Sequence, residues 1–282
     1  MNEVTEARLQ RLKEILRDQK RIAVCFSGGV DSTFLLKVAH DILGEHCVAV
    51  TAVSPAFSAR EMQRASAFCE AEQIRQIFVE TRELELPEFY ENPPDRCYHC
   101  KKQLMGTMAD AAAAAGYPVM AEGTNADDIS DYRPGLKALE EMRPRITSPF
   151  LEAGLTKAEI REASRELGLT TADLPSFACL ATRFAYGERI TAEGLKRVEA
   201  AEEVLAQAGF TQFRVRVHQN LARIEVAPGQ MDAFAEEAFR EDIYSKLKAL
   251  GYAYVTLDLR GYRTGSMNEV LADAASINNK KL

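Results

Sequence analysis

One short stretch constrains the fold of this chain more than any other, the segment 25–33, which reads CFSGGVDST. The residues just before the glycines, 21–26, are largely apolar and predict a short buried strand. Apolar residues after the glycines recur at helical spacing and predict a helix over 31–43. A strand that turns through Gly28 and Gly29 straight into a helix leaves free backbone amides at the helix start, where a phosphate group binds well.

The side chains of this stretch suit the same ligand. Ser27 and Ser32 supply hydroxyl donors, and Asp31 supplies a carboxylate for Mg²⁺ bound to the phosphates. The chain contains no G-x-x-x-x-G-K-[ST] sequence, and no G-x-G-x-x-G opens a helix, so Walker-type and dinucleotide-binding loops are not supported. The sequence therefore predicts a phosphate cradle built from Ser27, Gly28, Gly29, Asp31 and Ser32.

Composition restricts the class of protein. The chain has 282 residues, 46% of them hydrophobic and 27% charged, which is enough for one large or two ordinary globular domains. Its formal net charge of −7 disfavours a nucleic-acid partner. An acidic, amphipathic N-terminus and the lack of any apolar run of about 18 residues predict a cytoplasmic protein without a membrane segment.

The order of the elements predicts an α/β fold with a doubly wound parallel sheet, in which ligands bind at the carboxyl ends of the strands. Strands are expected at 21–26, 47–53, 74–79 and 118–123, with helices at 3–18, 31–43, 58–72 and 102–115. Capping boxes are expected where helices begin at Ser58 and Thr156. Ser54 directly follows one of these strands and Asn125 lies two residues after another, so both are expected to contact the nucleotide; the acidic loop 124–128 that contains Asn125 fits a solvated turn equally well.

The periodicity changes towards the C-terminus and predicts a second, smaller α+β domain. Its expected elements are a helix at 191–208, strands at 213–218 and 221–226, a helix at 230–249 and a strand at 252–257. We therefore predict a nucleotide-binding domain over 1–175, an active-site loop or linker over 176–190, the small domain over 191–265 and a tail over 266–282.

The six cysteines fall into two groups. Cys25, Cys47 and Cys69 lie within predicted strands or a helix, and all three are expected to be buried packing residues. Cys97 and Cys100 form a C-x-x-C pair, and Cys179 lies in the aperiodic loop. The pair alone fits half a zinc site, a redox dithiol or two cysteines without a special role, whereas three thiolates also fit a [4Fe–4S] cluster with one open iron.

The S-G-G-V-D-S string resembles the PP-loop of ATP pyrophosphatases, which cleave ATP to AMP and pyrophosphate and activate a carboxylate as its adenylate. Together with the cysteines and the loop 175–187, it makes the chain resemble the LarE-type sulfurtransferases over nearly its whole length, including 214–218, 222–226 and 261–270. The resemblance implies ATP-dependent conversion of the carboxylates of pyridinium-3,5-biscarboxylic acid mononucleotide to thiocarboxylates, in the biosynthesis of the nickel-pincer nucleotide.

The resemblance also implies residue roles. Asp31, Cys179 and Arg183 are expected to be catalytic, with Arg183 holding the phosphate of the acyl-adenylate. Arg214 and Arg216 alternate along a strand and share one of its faces, which is either a solvated surface or, as we prefer, the site for the substrate's phosphate.

Two carboxylates are expected near the substrate site. Glu202 or Glu225 is a candidate ligand for a metal ion near the product, and the sequence does not distinguish them.

Two variants of the family differ in their cysteines. One has a single cysteine at the position of Cys179 and gives up its own sulfur; the other adds the C-x-x-C pair and holds a [4Fe–4S] cluster that carries sulfide. Cys97, Cys100 and Cys179 match the second variant, with zinc or a sacrificial Cys179 as alternatives. The expected cofactors are thus ATP, Mg²⁺ and the cluster. The expected partners are a small-molecule substrate, an unspecified sulfide donor and further copies of the chain.

Three other functions share some of these features. A tRNA-thiolating PP-loop enzyme would need a basic accessory domain and further cysteine pairs. An amide-forming synthetase would use the same ATP chemistry without the three cysteines. A non-enzymatic iron–sulfur or nickel carrier would leave the S-G-G-V-D-S string without a purpose.

Overall fold

A computed structural model describes residues 1–130, 134–175 and 178–269 of the chain. Ser176 and Phe177 of the predicted active-site loop, and 270–282 of the predicted tail, lie outside the described residues. The helices are α1 (Glu3–Gln19), α2 (Val30–Leu43), α3 (Ala59–Ala71), α4 (Pro87–Tyr90), α5 (Arg96–Ala114), α6 (Pro134–Glu141), α7 (Pro149–Ala153), α8 (Lys157–Glu166), α9 (Ala192–Gln207) and α10 (Glu237–Ala249). The strands are β1 (Ile22–Cys25), β2 (Cys47–Val53), β3 (Gln76–Glu80), β4 (Met120–Ala121), β5 (Ile146–Thr147), β6 (Phe213–His218), β7 (Leu221–Val226) and β8 (Tyr254–Leu257).

The chain divides into two compact units. The first unit contains 1–83 and 97–175, and the second contains 84–96 and 178–269. The short segment 84–96, which includes α4, therefore belongs with the C-terminal part of the chain although it lies between elements of the first unit.

The first unit is built on a five-stranded sheet in the order β3-β2-β1-β4-β5. All neighbouring strands are parallel, with Cys25 paired to Val50 and Val24 paired to Ala121. Strands added in sequence to opposite sides of β1 create a switch point at its carboxyl end, where α/β proteins of this kind bind ligands. The predicted α/β fold with a doubly wound parallel sheet is confirmed.

Helices cover both faces of this sheet. Successive residues of a strand point to opposite faces, and in the central strands the residues on both faces are apolar. Ile22 and Val24 of β1 pack with buried residues of α1, α2 and α3 on one face. Ala23, between them, packs with Met105 and Met108 of α5 on the other. The first unit therefore has two apolar cores that the sheet separates.

Several predicted boundaries differ from the structure. The strand expected at 118–123 is only Met120–Ala121, and the two-residue β5 was not predicted. The capping box at Thr156 is present, with Glu159 as its partner. The one expected at Ser58 is wrong, because the Ser58 side chain accepts no capping hydrogen bond although Ser58 is the N-cap of α3.

The second unit contains the predicted α+β order of α9, β6, β7, α10 and β8. Its sheet has the order β6-β7-β8, with β6 and β7 antiparallel and β7 and β8 parallel. The single helix expected at 230–249 is instead a 3-10 segment, Pro228–Ala235, followed by α10. The smaller α+β fold is otherwise confirmed.

A buried ionic network ties this second sheet together. Arg216 Nε donates to Glu225 Oε2 at 3.0 Å, and Glu225 is fully buried. The Ser266 hydroxyl donates to Glu225 Oε1 at 2.9 Å and accepts from Arg216 Nη2 at 3.1 Å. Each buried charge therefore has an opposite charge and a hydroxyl beside it, the condition under which a buried ion pair is tolerated.

We predict that Glu225→Gln lowers the free energy of unfolding by about 3–5 kcal/mol, because it leaves the Arg216 charge buried without its carboxylate. Asp242→Asn is the matched control, since it breaks the exposed Asp242–Lys246 pair of α10 and should cost less than about 1 kcal/mol. Urea denaturation of both variants measures the difference. Equal losses in the two variants would contradict the prediction.

No helix among the residues that the structure describes is long and apolar enough to cross a membrane.

Candidate active site

The turn between β1 and α2 depends on glycine. Gly28 has φ +71°, a region that L side chains rarely adopt. A Cβ added to it would lie 3.1 Å from both Ala65 N and Glu61 O in the backbone of α3. Gly29 is the N-cap of α2 and supplies no side chain to the cap. The first amides of the helix therefore follow a turn that packs directly against α3.

The two predicted serines of this turn lie together. Ser27 Oγ is 3.2 Å from Ser32 Oγ, and the Ser27 N–H donates to Ser32 Oγ at 3.3 Å. Ser32 is buried, and the hydrogen bond that its hydroxyl accepts from Ser27 N–H holds the turn in place. With the positive end of the helix dipole at the same place, this arrangement favours a phosphate.

Asp31, in the first turn of α2, forms a short salt bridge through Oδ2 with Lys157 Nζ. Its second oxygen, Oδ1, is buried and has no hydrogen-bond partner among the residues described. An unused carboxylate oxygen at the start of this helix fits Mg²⁺, which proteins often bind through one carboxylate plus substrate phosphates. Lys157, the first residue of α8, is a site residue that our sequence reasoning missed.

The loop after β4 lies against the same carboxylate. A Cβ at Gly123 would lie 3.0 Å from Asp31 Cβ, so only glycine fits without displacement. Glu122 beside it is buried and accepts hydrogen bonds from Ser148 Oγ at 2.5 Å and Thr124 Oγ1 at 2.7 Å. Neither Gly123 nor Glu122 has a local sequence signal, because their partners lie in other elements.

Asn125 and Ser54 use their side chains within their own loops. Asn125 Oδ1 accepts from Asp127 N at 3.1 Å, and Ser54 Oγ accepts from Ala56 N at 3.1 Å. Asp127 Oδ2 accepts from the Lys157 N–H at 2.9 Å, which connects the Asn125 loop to α8. Nucleotide contact by Asn125 and Ser54 stays a prediction.

Cys179, in the second unit, begins a 3-10 turn over Leu180–Arg183 and is half-buried. Arg183 is 1% exposed and holds this turn, since its Nη1 donates to the carbonyls of Ala178 at 2.7 Å and Cys179 at 3.1 Å. Nε and Nη2 of Arg183 bind the two oxygens of Glu202 at 2.8 and 2.9 Å. Arg183 therefore positions the Cys179 loop, and its contact with an adenylate stays a prediction.

Arg214 and Arg216 are 3% and 6% exposed, so the solvated-surface interpretation of these arginines is wrong. Arg214 lies over the Tyr262 ring at 5.1 Å, and Arg216 Nη1 donates to Thr182 O at 3.2 Å. Burial, together with the nearby positive charge of Arg183, lowers the pKa of Arg214 to about 10. An anion beside Arg214 would relieve both effects.

The two carboxylates considered as metal ligands are paired with arginines. Glu202 binds Arg183 through both oxygens, and its Oε1 also accepts from Val215 N at 3.0 Å. Glu225 binds Arg216 and Ser266. In the described ranges, no group of three or more His, Cys, Asp or Glu side chains is placed to hold a metal ion.

The segment 84–96 supports the Cys179 loop from within the second unit. The buried Asn92 side chain donates to Ala185 O at 2.6 Å, and the main-chain carbonyl of Asn92 accepts from Gly187 N at 2.9 Å. Arg96, the residue directly before Cys97, donates to Ala181 O at 3.0 Å. Sequence patterns gave no indication of these contacts.

Two classes of thiol are distinguishable by environment. Cys97 and Cys100 are half-buried and three residues apart in the first turns of α5, a spacing that places side chains on one helix face. Their role as cluster ligands stays a prediction. Burial raises the pKa of Cys25, Cys47 and Cys69 to about 12, which makes these three thiols poor ligands and nucleophiles at neutral pH.

The model of the PP-loop domain family matches residues 1–129. The chain is 37% identical to the pyridinium-3,5-bisthiocarboxylic acid mononucleotide synthase of Lactiplantibacillus plantarum, over 92% of this chain and 93% of that one. The chain belongs to the LarE family of PP-loop sulfurtransferases. This LarE-family chain is also 42% identical to an uncharacterized protein of Synechocystis sp. over 94% of its length and 98% of the relative's, and 32% identical to one of Methanocaldococcus jannaschii over 91% and 98%.

Family membership confirms that the chain is an ATP-using sulfurtransferase with a PP-loop domain. The assignment to the three-cysteine variant stays a prediction.

We predict that Gly28→Ala destabilises the LarE-family enzyme by about 1–3 kcal/mol more than Gly44→Ala, because only the Gly28 substitution drives a methyl group into backbone atoms. Gly44 is the matched control, with φ +55° and nothing within 4 Å of an added Cβ. Thermal unfolding measures stability, and ATP titration should show weaker binding for Gly28→Ala alone. Equal effects of the two substitutions would contradict the close packing of the turn.

We predict that Lys157→Met lowers kcat/KM for ATP-dependent pyrophosphate release at least about 100-fold, because it removes a cation beside Asp31 at the phosphate site. Lys37→Met is the control, since Lys37 pairs with Asp41 and Glu72 away from the turn and should change the rate less than about twofold. Steady-state pyrophosphate release by the two variants makes the comparison. A Lys157→Met enzyme with the control's activity would remove Lys157 from the site.

Proposed function

We propose that this enzyme transfers sulfur to the carboxylates of pyridinium-3,5-biscarboxylic acid mononucleotide, in the biosynthesis of the nickel-pincer nucleotide. A substrate carboxylate oxygen attacks the α-phosphorus of ATP, which forms an acyl-adenylate and releases pyrophosphate. A sulfur nucleophile then attacks the acyl carbon and displaces AMP, which leaves a thiocarboxylate. The observation that carries the proposal is 37% identity, over 92% of the chain, to a synthase whose name gives the corresponding thiocarboxylate product.

The residues of the first unit divide the adenylation step between them. The amides that begin α2, with Ser27 and Ser32, bind the phosphates, and Asp31 Oδ1 takes the magnesium ion. Lys157 neutralises charge that develops on the departing pyrophosphate. Ser54 and Asn125, each after a strand at the carboxyl edge of the sheet, are proposed to contact the rest of the nucleotide.

The substrate's own phosphate is proposed to bind at the buried arginines of the second unit. Arg214 carries a charge that burial and Arg183 disfavour, so a phosphate there gains a strong charge-assisted hydrogen bond. Arg216 is already paired with Glu225 and supplies a second donor on the same strand face. Tyr262, under the Arg214 guanidinium, fixes its plane.

Sulfur delivery is proposed to involve Cys97, Cys100 and Cys179. These three would hold a [4Fe–4S] cluster, which when bound supplies a replaceable sulfide on its open iron. The shared helix face of the first two thiols supports the idea. The protein's part is to hold the thiolates and keep the acyl carbon in reach of sulfur.

The test is anaerobic purification followed by iron, sulfide and zinc analysis of the wild type, Cys100→Ala and Cys179→Ala. We expect about four irons per chain in the wild type and a large loss in both variants. Cys69→Ala is the control, because the Cys69 thiol is buried in α3 and protonated, and its iron content should stay at the wild-type level. Pyrophosphate release should persist in Cys100→Ala while thiocarboxylate formation stops.

Other results would change the sulfur source but not the adenylation chemistry. Zinc without iron would make the Cys97–Cys100 pair structural. A wild-type protein that binds no metal even after reconstitution, and loses the mass of H₂S from Cys179 after one turnover, would make Cys179 the sacrificial donor. The absence of pyridinium-dependent pyrophosphate release would overturn the proposed function itself.

A further inference from the structure

Strand β3 is an edge of the five-stranded sheet, and it is hydrogen-bonded only to β2 in the part of the chain that the structure describes. An edge strand with free N–H and C=O groups pairs readily with another strand unless charge, proline or a bulge prevents it. β3 reads Gln76-Ile-Phe-Val-Glu80 and contains neither proline nor lysine. Its one charged residue, Glu80, lies at its C-terminal end, so the middle of the edge is open to a further strand.

The middle of this edge exposes an aromatic ring. Phe78 is 52% exposed, whereas Val79 beside it is buried in the core under the other face. Phe78 lines a shallow groove with Met62, Ala59 and Ala67 on the flank of α3. Phe78 and these side chains form a small apolar patch beside the open edge, and a further strand paired with β3 would cover it.

The backbone of β3 fixes which residues can accept a new partner. Arg75 O accepts from Ala49 N, and Thr81 N donates to Val53 O, so the odd-numbered residues of β3 direct their polar groups towards β2. In a regular strand the alternate residues, Gln76, Phe78 and Glu80, then direct N–H and C=O outwards. These three residues are symmetric about Phe78.

We propose that a second copy of this chain pairs with β3 in antiparallel fashion across a two-fold axis at Phe78. In this register Phe78 is opposite Phe78 of the other copy as a hydrogen-bonded pair. Gln76 of each copy is opposite Glu80 of the other copy, so this second pair occurs twice. The pairing is complementary in hydrogen bonding, because Gln76 uses one amide hydrogen on Thr51 Oγ1 and keeps the second for the Glu80 carboxylate. The two phenylalanines cover each other at the centre.

The register makes a reciprocal test possible. Gln76→Glu places like charges opposite each other at both ends of the pairing and should weaken self-association about tenfold. Adding Glu80→Gln to the same chain exchanges the two side chains and restores the amide–carboxylate pairs, so association should return to near the wild-type level. Sedimentation velocity of the full-length chain at low ionic strength over a range of concentrations measures both.

Phe78→Asp supplies the stronger perturbation, since two carboxylates would meet at the axis, and it should halve the mass of the assembly. Tyr254→Asp is the matched control, an exposed aromatic residue on the edge strand of the second sheet, and should leave the mass unchanged. Circular dichroism confirms that each variant is folded. A wild type that is monomeric at all concentrations, an unchanged mass for Phe78→Asp, or a double variant no better than Gln76→Glu would each overturn the proposal.

Discussion

The nucleotide site depends on backbone contacts that only glycine permits on either side of Asp31. A Cβ added to Gly28 would lie 3.1 Å from the backbone of α3. A Cβ added to Gly123 would lie 3.0 Å from Asp31 Cβ. Helix α3 is itself held to the sheet by the buried Ala65 and Cys69. The position of the first turn of α2 therefore follows from packing between main chains, where no side chain can move aside. The proposed phosphate site uses the same turn, so that site and the core of the first unit depend on the same packing.

Local patterns predicted most of the longer elements of the first unit, although the eight-residue α6 was not predicted and α5 begins six residues before its predicted start. α1, α2 and β2 each present several turns or alternations of apolar residues, and their positions were predicted closely. β4 and β5 contain two residues each, and their conformation comes from hydrogen bonds to β1 and to each other. A local stretch of sequence does not reveal those hydrogen bonds, because their partners lie far away along the chain. The same reason applies to Lys157, whose partner Asp31 lies 126 residues away.

The second unit shows how far a pattern can predict a site. The alternation of Arg214 and Arg216 correctly indicates one strand face, but it also fits a solvated surface. The buried charge of Arg216 is compensated by Glu225 and Ser266, and Ser266 lies 41 residues from the glutamate that it binds. A charge can stay in a protein interior only if such partners converge on it. The sequence could therefore identify the arginines and not their burial.

Burial also separates the six cysteines according to the chemistry each can perform. A thiol whose pKa is about 12 stays protonated at neutral pH, and the ligand and nucleophile is the thiolate. Cys25, Cys47 and Cys69 are therefore packing residues that are poor ligands and nucleophiles, at positions where a sheet or helix accommodates a small apolar side chain. Cys97 and Cys100 lie in the first turns of α5, and Cys179 is the N-cap of the short 3-10 turn; all three are half-buried. The three cysteines that the sequence pattern selects are thus not the three whose thiols burial keeps protonated.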